Sequence, residues 1–120
     1  MYIYHNENPQ NWHVPDCVIR AITLALNIGY YEVVKMLDKN AQELSCECLN
    51  VRCYEKLLDE DLCFPHFVSK GRTAEEVAND FPNNTLLLRM EGHLSVSICG
   101  IIYDIFNCSS EEIVEFWIVI

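Results

Sequence analysis

Three residues that together could form a thiol-based catalytic site stand at the ends of predicted elements: Cys17, His93 and Asp104. Cys17 follows Asp16 directly and opens an apolar segment that is predicted to be a helix. Free backbone N–H groups and the positive end of the helix dipole favour a thiolate, the nucleophilic form of cysteine. Asp16 and the overall negative charge oppose that thiolate, so a neighbouring base is needed. The sequence therefore predicts a histidine beside Cys17.

His93 and Asp104 lie on two segments that are predicted to pair as a hairpin. With a two-residue turn at Cys99-Gly100, Ser95 faces Asp104 and His93 faces Phe106. His93 and Asp104 then share one face of the sheet and are diagonal neighbours, at roughly 7 Å between backbones, within reach of a side-chain hydrogen bond. The opposite face is predicted to be core and carries Leu94, Val96, Ile98, Ile101, Tyr103 and Ile105.

These positions predict a division of labour in acyl transfer. Cys17 is the nucleophile, His93 the general base and acid, and Asp104 the residue that fixes the imidazole tautomer. The backbone N–H of Cys17 would donate to the oxyanion. A side-chain amide upstream, from Gln10 or Asn11, is the candidate for a second donor.

Two other residues compete for places in this site. Asn107 is an alternative third member, but the predicted register puts it on the core face unless a bulge intervenes. Arg20 is expected to pair with an acidic residue, either Glu91 or Asp104, and a pairing with Asp104 would weaken the triad. Spacing alone also permits a simpler interpretation, in which Cys17 is a small core residue.

The elements that position these residues run from helices to strands along the chain. Helices are predicted over Cys17–Ile28, with Asp16 as N-cap, over Tyr30–Leu44, over Cys53–Asp61, and from a capping box at Thr73 and Glu76 to before Pro82. Strands are predicted over Thr85–Met90, His93–Cys99, Ile101–Phe106 and Ile113–Val119. This order predicts an α+β fold, with a buried N-terminal helix that carries cysteine packed on a C-terminal antiparallel sheet of three to five strands.

Composition narrows the class of protein. The chain has 120 residues, 51% of them hydrophobic, and 8 Lys and Arg against 18 Asp and Glu, for a net charge of −10. We expect a single domain over residues 1–120, without disorder, a membrane span or a signal peptide. The acidity argues against nucleic-acid binding through phosphates and suits either a basic partner or simple solubility. Seven cysteines, an odd number, indicate reduced thiols in the cytoplasm.

Five residues in the middle of the chain have side chains that zinc prefers: Cys46, Cys48, Cys53, Cys63 and His66. Their spacing is irregular and lacks a paired C-x2-C knuckle. We therefore expect no metal and no cofactor, and a disulfide between Cys46 and Cys48 only on oxidation.

The motifs around the candidate triad resemble a known family. Asp16-Cys17-Val18-Ile19-Arg20-Ala21 is similar to the opening of a family of small papain-like proteins of bacteria and their phages. Gly92-His93-Leu94 and Gly100-Ile101-Ile102-Tyr103-Asp104 are similar to its histidine hairpin. Shorter matches are Asn8-Pro9, Tyr54-Glu55-Lys56, the helix after Gly71-Arg72-Thr73, Asn107-Cys108 and Phe116-Trp117. The chain departs from the family at Pro15, which stands where glycine is usual, and at Ile105-Phe106-Asn107 after the aspartate.

The resemblance implies a papain-like fold and a cysteine peptidase, amidase or deamidase that acts on a peptide or protein through Cys17, His93 and Asp104. We expect a cytoplasmic protein, in the bacterial cell or in the host cell if a phage encodes it, and no membrane partner. The alternative is a non-catalytic phage or bacterial interaction protein on the same scaffold that acts through its acidic surface.

Overall fold

A six-stranded mixed sheet and four α-helices make up the structure, a computed structural model that describes residues 1–120. In chain order the elements are β1 (Tyr2–Tyr4), α1 (Cys17–Leu26), α2 (Tyr30–Leu44), α3 (Val51–Lys56), a π-helical turn (Leu57–Asp61), β2 (His66–Val68), α4 (Ala74–Asp80), β3 (Thr85–Met90), β4 (His93–Ile98), β5 (Ile101–Asp104) and β6 (Glu115–Val119). The predicted α+β class is confirmed.

The sheet differs from the prediction at both of its edges. The strand order is β1-β5-β4-β3-β6-β2, and β1 runs parallel to β5 while all other pairs are antiparallel. The expectation of an antiparallel sheet of three to five strands from the C-terminal part of the chain is therefore wrong. Both missed strands have three residues, which is too short for an alternating pattern to identify them.

The hairpin between β4 and β5 forms with the predicted register. Ile98 pairs with Ile101, and both Cys99 (φ 51°) and Gly100 (φ 81°) lie in the left-handed region, as the turn between them requires. The strand β5 ends at Asp104 and not at Phe106, so the predicted alternation of faces does not extend to Ile105 and beyond.

The helix α1 is buried over Val18–Thr23, as its apolar sequence predicts. It ends at Leu26, two residues before the predicted end, because Asn27 adopts a left-handed conformation with φ 54°. None of the helices alone is long and apolar enough to cross a membrane. Only α1 and α2 taken together reach that length and composition, and they meet at a bend of 116°.

The remaining helices follow the sequence closely. The helix α2 has the predicted bounds, and the capping box of Thr73 and Glu76 begins α4. The helix α3 begins at Val51 because the Asn50 side chain accepts a hydrogen bond from the Arg52 N–H, two residues before the predicted start.

Helices cover both faces of the sheet and bury core residues on each. On one face, α1, α2 and α3 pack over Leu87, Leu94 and Trp117. On the other face, α4 packs over Leu88 and Ile102. The predicted core face of the hairpin is confirmed at Leu94, but the opposite face is buried as well. The candidate site lies where α1 meets the start of β4.

Candidate active site

The start of α1 presents Cys17 together with unsatisfied hydrogen-bond donors. The first three backbone N–H groups of this ten-residue helix, those of Cys17, Val18 and Ile19, have no acceptor in the protein. The predicted side-chain cap by Asp16 is wrong, because this carboxylate turns away to bind Arg20. The helix start therefore keeps its donors and its positive dipole available to negative charge at Cys17.

The Cys17 thiol is half-buried beside His93. Burial raises the pKa of the thiol, but the imidazole of His93 and the backbone N–H of Leu94 outweigh this effect and hold the pKa below its usual value. The environment of Cys17 therefore favours a reactive thiolate.

His93 is held by Asp104, as the hairpin register predicts. Its Nε2 lies 2.7 Å from Asp104 Oδ2, and its ring packs against Phe106 with centroids 4.8 Å apart. Burial lowers the pKa of His93, but the bonds to Asp104 and the nearby thiols raise it well above the ordinary value. Because Nε2 donates to the carboxylate, Nδ1 is the ring nitrogen left for the proton of Cys17.

Asp104 divides its two carboxylate oxygens between the site and the scaffold. Oδ2 accepts from the Ser95 hydroxyl at 2.7 Å as well as from His93. Oδ1 accepts from Arg20 Nη1 at 3.2 Å and from the Ile105 N–H at 2.7 Å. Burial raises the pKa of Asp104, and the bonds from His93 and Ser95 overcome it and lower the pKa. Of the two partners expected for Arg20, the structure shows Asp104 and not Glu91, but Arg20 binds the other oxygen and leaves the bond to His93 intact.

A second carboxylate completes a buried network behind the site. Arg20 Nε donates to Asp16 Oδ1 at 2.6 Å, and Asp16 Oδ2 accepts from the Asn8 amide at 2.9 Å and from the Tyr30 hydroxyl at 2.8 Å. Burial raises the pKa of Asp16, but these hydrogen bonds lower it further than burial raises it. The network ties Asn8 and Tyr30 to the start of α1. Sequence reasoning missed both residues, because no local pattern marks a partner so distant in sequence.

The structure does not bring Gln10 or Asn11 to Cys17. Both are exposed, and neither lines a cavity beside the thiol. The reason is a turn built on Asn8, whose Oδ1 accepts from the Gln10 N–H at 2.9 Å while its carbonyl accepts from the Asn11 N–H at 2.9 Å. The hydrogen-bond donors at the start of α1 are therefore its own free N–H groups, and no side-chain amide joins them.

Asn107 is not the third member of the site. It is exposed, and its Oδ1 accepts from the Ser109 N–H at 3.0 Å. Because β5 ends at Asp104, Asn107 lies on the loop after the strand and not on the core face.

A cavity of 380 Å³ opens beside the thiol and the imidazole. It is lined mainly by apolar side chains and lies within the usual size range of ligand pockets, roughly 300–1,000 Å³. Its lining residues come from α1, the turn before α3, α3 itself, the β3–β4 hairpin and the loop after β5. Any group that enters this cavity lies against Cys17 and His93.

One group of side chains has ligand atoms close enough for a metal ion: His93, Asp104 and Cys108, all within 4.8 Å of one another. The buried Cys108 thiol donates to Asp104 Oδ2 at 3.8 Å. The guanidinium of Arg20 on the same carboxylate opposes a second positive charge there. The residues present therefore fit a hydrogen-bonded site better than a metal site.

The cysteines in the middle of the chain are not gathered around His66. Cys46 Sγ and Cys53 Sγ lie 2.8 Å apart, whereas Cys63 is exposed and bonds a backbone carbonyl. His66 is held by Glu115 and Asp59. All of these thiols are free, and the partner of Cys46 is Cys53, which α3 brings to the end of α2.

Comparison of the chain with protein-family models, with curated protein sequences and with solved structures finds no match.

Proposed function

We propose that the protein is a cysteine hydrolase of papain-like fold, which attacks an amide, isopeptide or thioester carbonyl through Cys17. One observation carries this proposal. The thiol stands at a helix start with free N–H groups, its pKa is lowered by His93, and Asp104 holds that histidine at 2.7 Å. Structural cysteines in apolar surroundings have raised pKa values instead, so this environment favours a nucleophile.

The chemistry follows from these three groups. His93 Nδ1 takes the proton of Cys17, and the sulfur forms a bond to the carbonyl carbon while the carbonyl oxygen becomes an oxyanion near the N–H groups of α1. The oxyanion collapses, the bond to the leaving group breaks, and the imidazolium of His93 gives its proton to that group. A water molecule, deprotonated by His93, then attacks the thioester and releases the acid and the free thiol.

The arrangement of elements supports the papain-like part of the proposal. The cysteine helix α1 packs on β4, the strand whose first residue is the histidine, and the next strand, β5, supplies the aspartate. This is the arrangement that the resemblance of the sequence motifs implies. Fold alone does not establish an activity, so the reaction itself must be measured.

Hydrolysis of p-nitrophenyl acetate tests the reaction with a general acyl donor. We expect nitrophenol release together with an acetyl group on Cys17, detected by mass spectrometry of peptides. Cys17→Ala should abolish both. Cys99→Ala is the matched control, since Cys99 is exposed in a turn away from His93. Acetylation spread evenly over the exposed thiols, with release unaffected by Cys17→Ala, would contradict the proposal and favour the non-catalytic interaction protein.

A further inference from the structure

Two cysteine thiols outside the candidate active site lie in direct contact. Cys46 Sγ and Cys53 Sγ are 2.8 Å apart, and both thiols are free. A disulfide bond joins sulfur atoms at about 2.05 Å, so a shift of less than about 1 Å would bring these two atoms to bonding distance. Neither thiol takes part in the chemistry at Cys17. The pair is therefore a separate place at which the chain can be modified.

The backbone on each side of this contact is held by hydrogen bonds at helix ends. After α2 the chain turns at Ser45, which has φ 54°, and the Cys46 N–H donates to the Ala41 carbonyl at 3.1 Å. In α3, the Cys53 carbonyl accepts from the buried Asn40 amide at 3.3 Å. The two sulfur atoms meet because α2 and α3 pack against each other.

The two thiols differ in their access to a reagent. Cys46 is half-buried, whereas Cys53 is fully buried. The Cys53 thiol donates to the Glu47 carbonyl at 3.2 Å, and burial together with the Cys46 thiol raises the pKa of Cys53 to about 12. Cys53 therefore stays protonated at neutral pH, and Cys46 is the thiol that a dissolved oxidant meets first.

Cys48, the third thiol in this part of the chain, is held in another way. It packs against the core formed by the helices. Burial raises the pKa of Cys48, and a hydrogen bond with Asp38 raises it further. A thiol with a raised pKa is less reactive at neutral pH. The structure therefore favours Cys46 over Cys48 as the partner of Cys53.

We propose that Cys46 and Cys53 form a reversible disulfide by exchange with a small disulfide such as oxidised glutathione, and that this bond ties one wall of the 380 Å³ cavity to α2. The Cys46 thiolate attacks one sulfur of oxidised glutathione, the S–S bond of that molecule breaks, and one glutathione leaves. The Cys53 sulfur then attacks the Cys46 sulfur of the mixed disulfide and releases the second glutathione. The two cysteines are oxidised, and oxidised glutathione is reduced to two thiols that carry the protons of Cys46 and Cys53.

The effect on the cavity follows from the position of the bond. It closes a ring over residues 46–53, which contains the wall residues Leu49 and Val51. Tyr54, another wall residue, follows Cys53 directly. Closing a ring removes conformational freedom from the opened state of a segment. The bond should therefore keep α3 packed on α2, and this effect does not depend on the proposed hydrolase function.

Peptide mapping after equilibration with oxidised glutathione tests the bond. Trypsin cleaves after lysine and arginine and so separates residues 40–52, which contain Cys46 and Cys48, from residues 53–56, which contain Cys53. We expect these two peptides to be joined by a disulfide that dithiothreitol reduces. Cys48→Ser should leave the joined pair in place, whereas Cys46→Ser should remove it. A bond between Cys46 and Cys48, glutathione adducts without a joined pair, or a joined pair that survives Cys46→Ser would each overturn the proposal.

Hydrogen exchange tests the effect on the cavity wall. The amide hydrogens of α3 should exchange about tenfold more slowly in the oxidised protein than in Cys46→Ser protein treated with the same reagent, because only the former has the closed ring. The treated variant carries the glutathione adducts at the other exposed thiols and so controls for them. The amide hydrogens of α4, on the other face of the sheet, should exchange equally in both proteins. Equal exchange in α3 would show that the bond does not hold the wall, and it would overturn that part of the proposal.

Discussion

At the scale of single residues, Asp104 controls the state of His93. Its Oδ2 accepts from the ring at 2.7 Å, and this bond is a main reason why the pKa of His93 is raised. Asp104→Asn keeps the shape of the side chain but removes the charge that orients and stabilises the imidazolium. We expect the rate of p-nitrophenyl acetate hydrolysis to fall by about 100-fold to 10,000-fold, with the fold retained by circular dichroism.

Asp80→Asn is the matched control for that change, because Asp80 is an exposed carboxylate paired with Arg72 on the surface. Its rate should equal that of the unchanged protein. An unchanged rate in Asp104→Asn would instead show that the aspartate acts only through Arg20, as part of the scaffold.

The pairing of His93 with Asp104 could be predicted because it depends on a local hairpin register. One turn at Cys99-Gly100 determines which side chains become neighbours, and Ser95 follows from the same register. The partners of Asp16 could not be predicted in this way, because Asn8 and Tyr30 reach it across loops whose paths no periodic pattern determines.

At the scale of elements, the turn between β4 and β5 contains a residue that is poorly suited to its backbone conformation. Cys99 adopts φ 51°, a conformation that asparagine tolerates better than cysteine. Cys99→Asn should raise the free energy of unfolding by about 0.5–1 kcal/mol, measured by urea denaturation. Gly100→Ala should lower it by about 1 kcal/mol, because Gly100 has φ 81°. A Cys99→Asn protein of lower stability would show that this turn does not limit the hairpin.

The observed bounds of helices and strands agree with the predicted ones wherever a capping motif or a long periodic segment marks them. The helix α2 and the strand β3 have the predicted bounds, and the capping box begins α4. The errors lie at ends set by backbone conformation, as at Asn27, and in the two three-residue edge strands. Those strands form because a neighbouring strand offers an unpaired edge, which is a tertiary effect that local propensity does not encode.

At the scale of the whole molecule, Arg20 joins the N-terminal loop and the helices to the sheet. It binds both Asp16 and Asp104, and all three side chains are at most 8% exposed. Arg20→Met would leave the buried Asp16 without a cation and Asp104 with His93 alone, so the free energy of unfolding at pH 7 should fall by about 3–5 kcal/mol. Arg72→Met, which breaks an exposed pair, should change it little.

The pH dependence of the stability lost in Arg20→Met shows whether the loss comes from electrostatics or from packing. The folded-state pKa values of Asp16 and Asp104 are depressed, so their contribution is present above the unfolded pKa of ~3.9 and is lost as pH falls through the folded values. The cost of Arg20→Met should therefore shrink as the solution is acidified below about pH 4, since protonated carboxyl groups need no cation. A cost that is constant with pH would indicate lost packing instead.

The central claim is that Cys17 and His93 form a thiolate–imidazolium pair, and alkylation of each cysteine by iodoacetamide against pH tests it most directly. The pKa of Cys17 is lowered and that of His93 is raised, so Cys17 should react much faster than the other six cysteines at about pH 6 to 7. His93→Ala should abolish this advantage, and His13→Ala, at an exposed histidine, should preserve it. A Cys17 that reacts like an ordinary thiol in all three proteins would contradict the account.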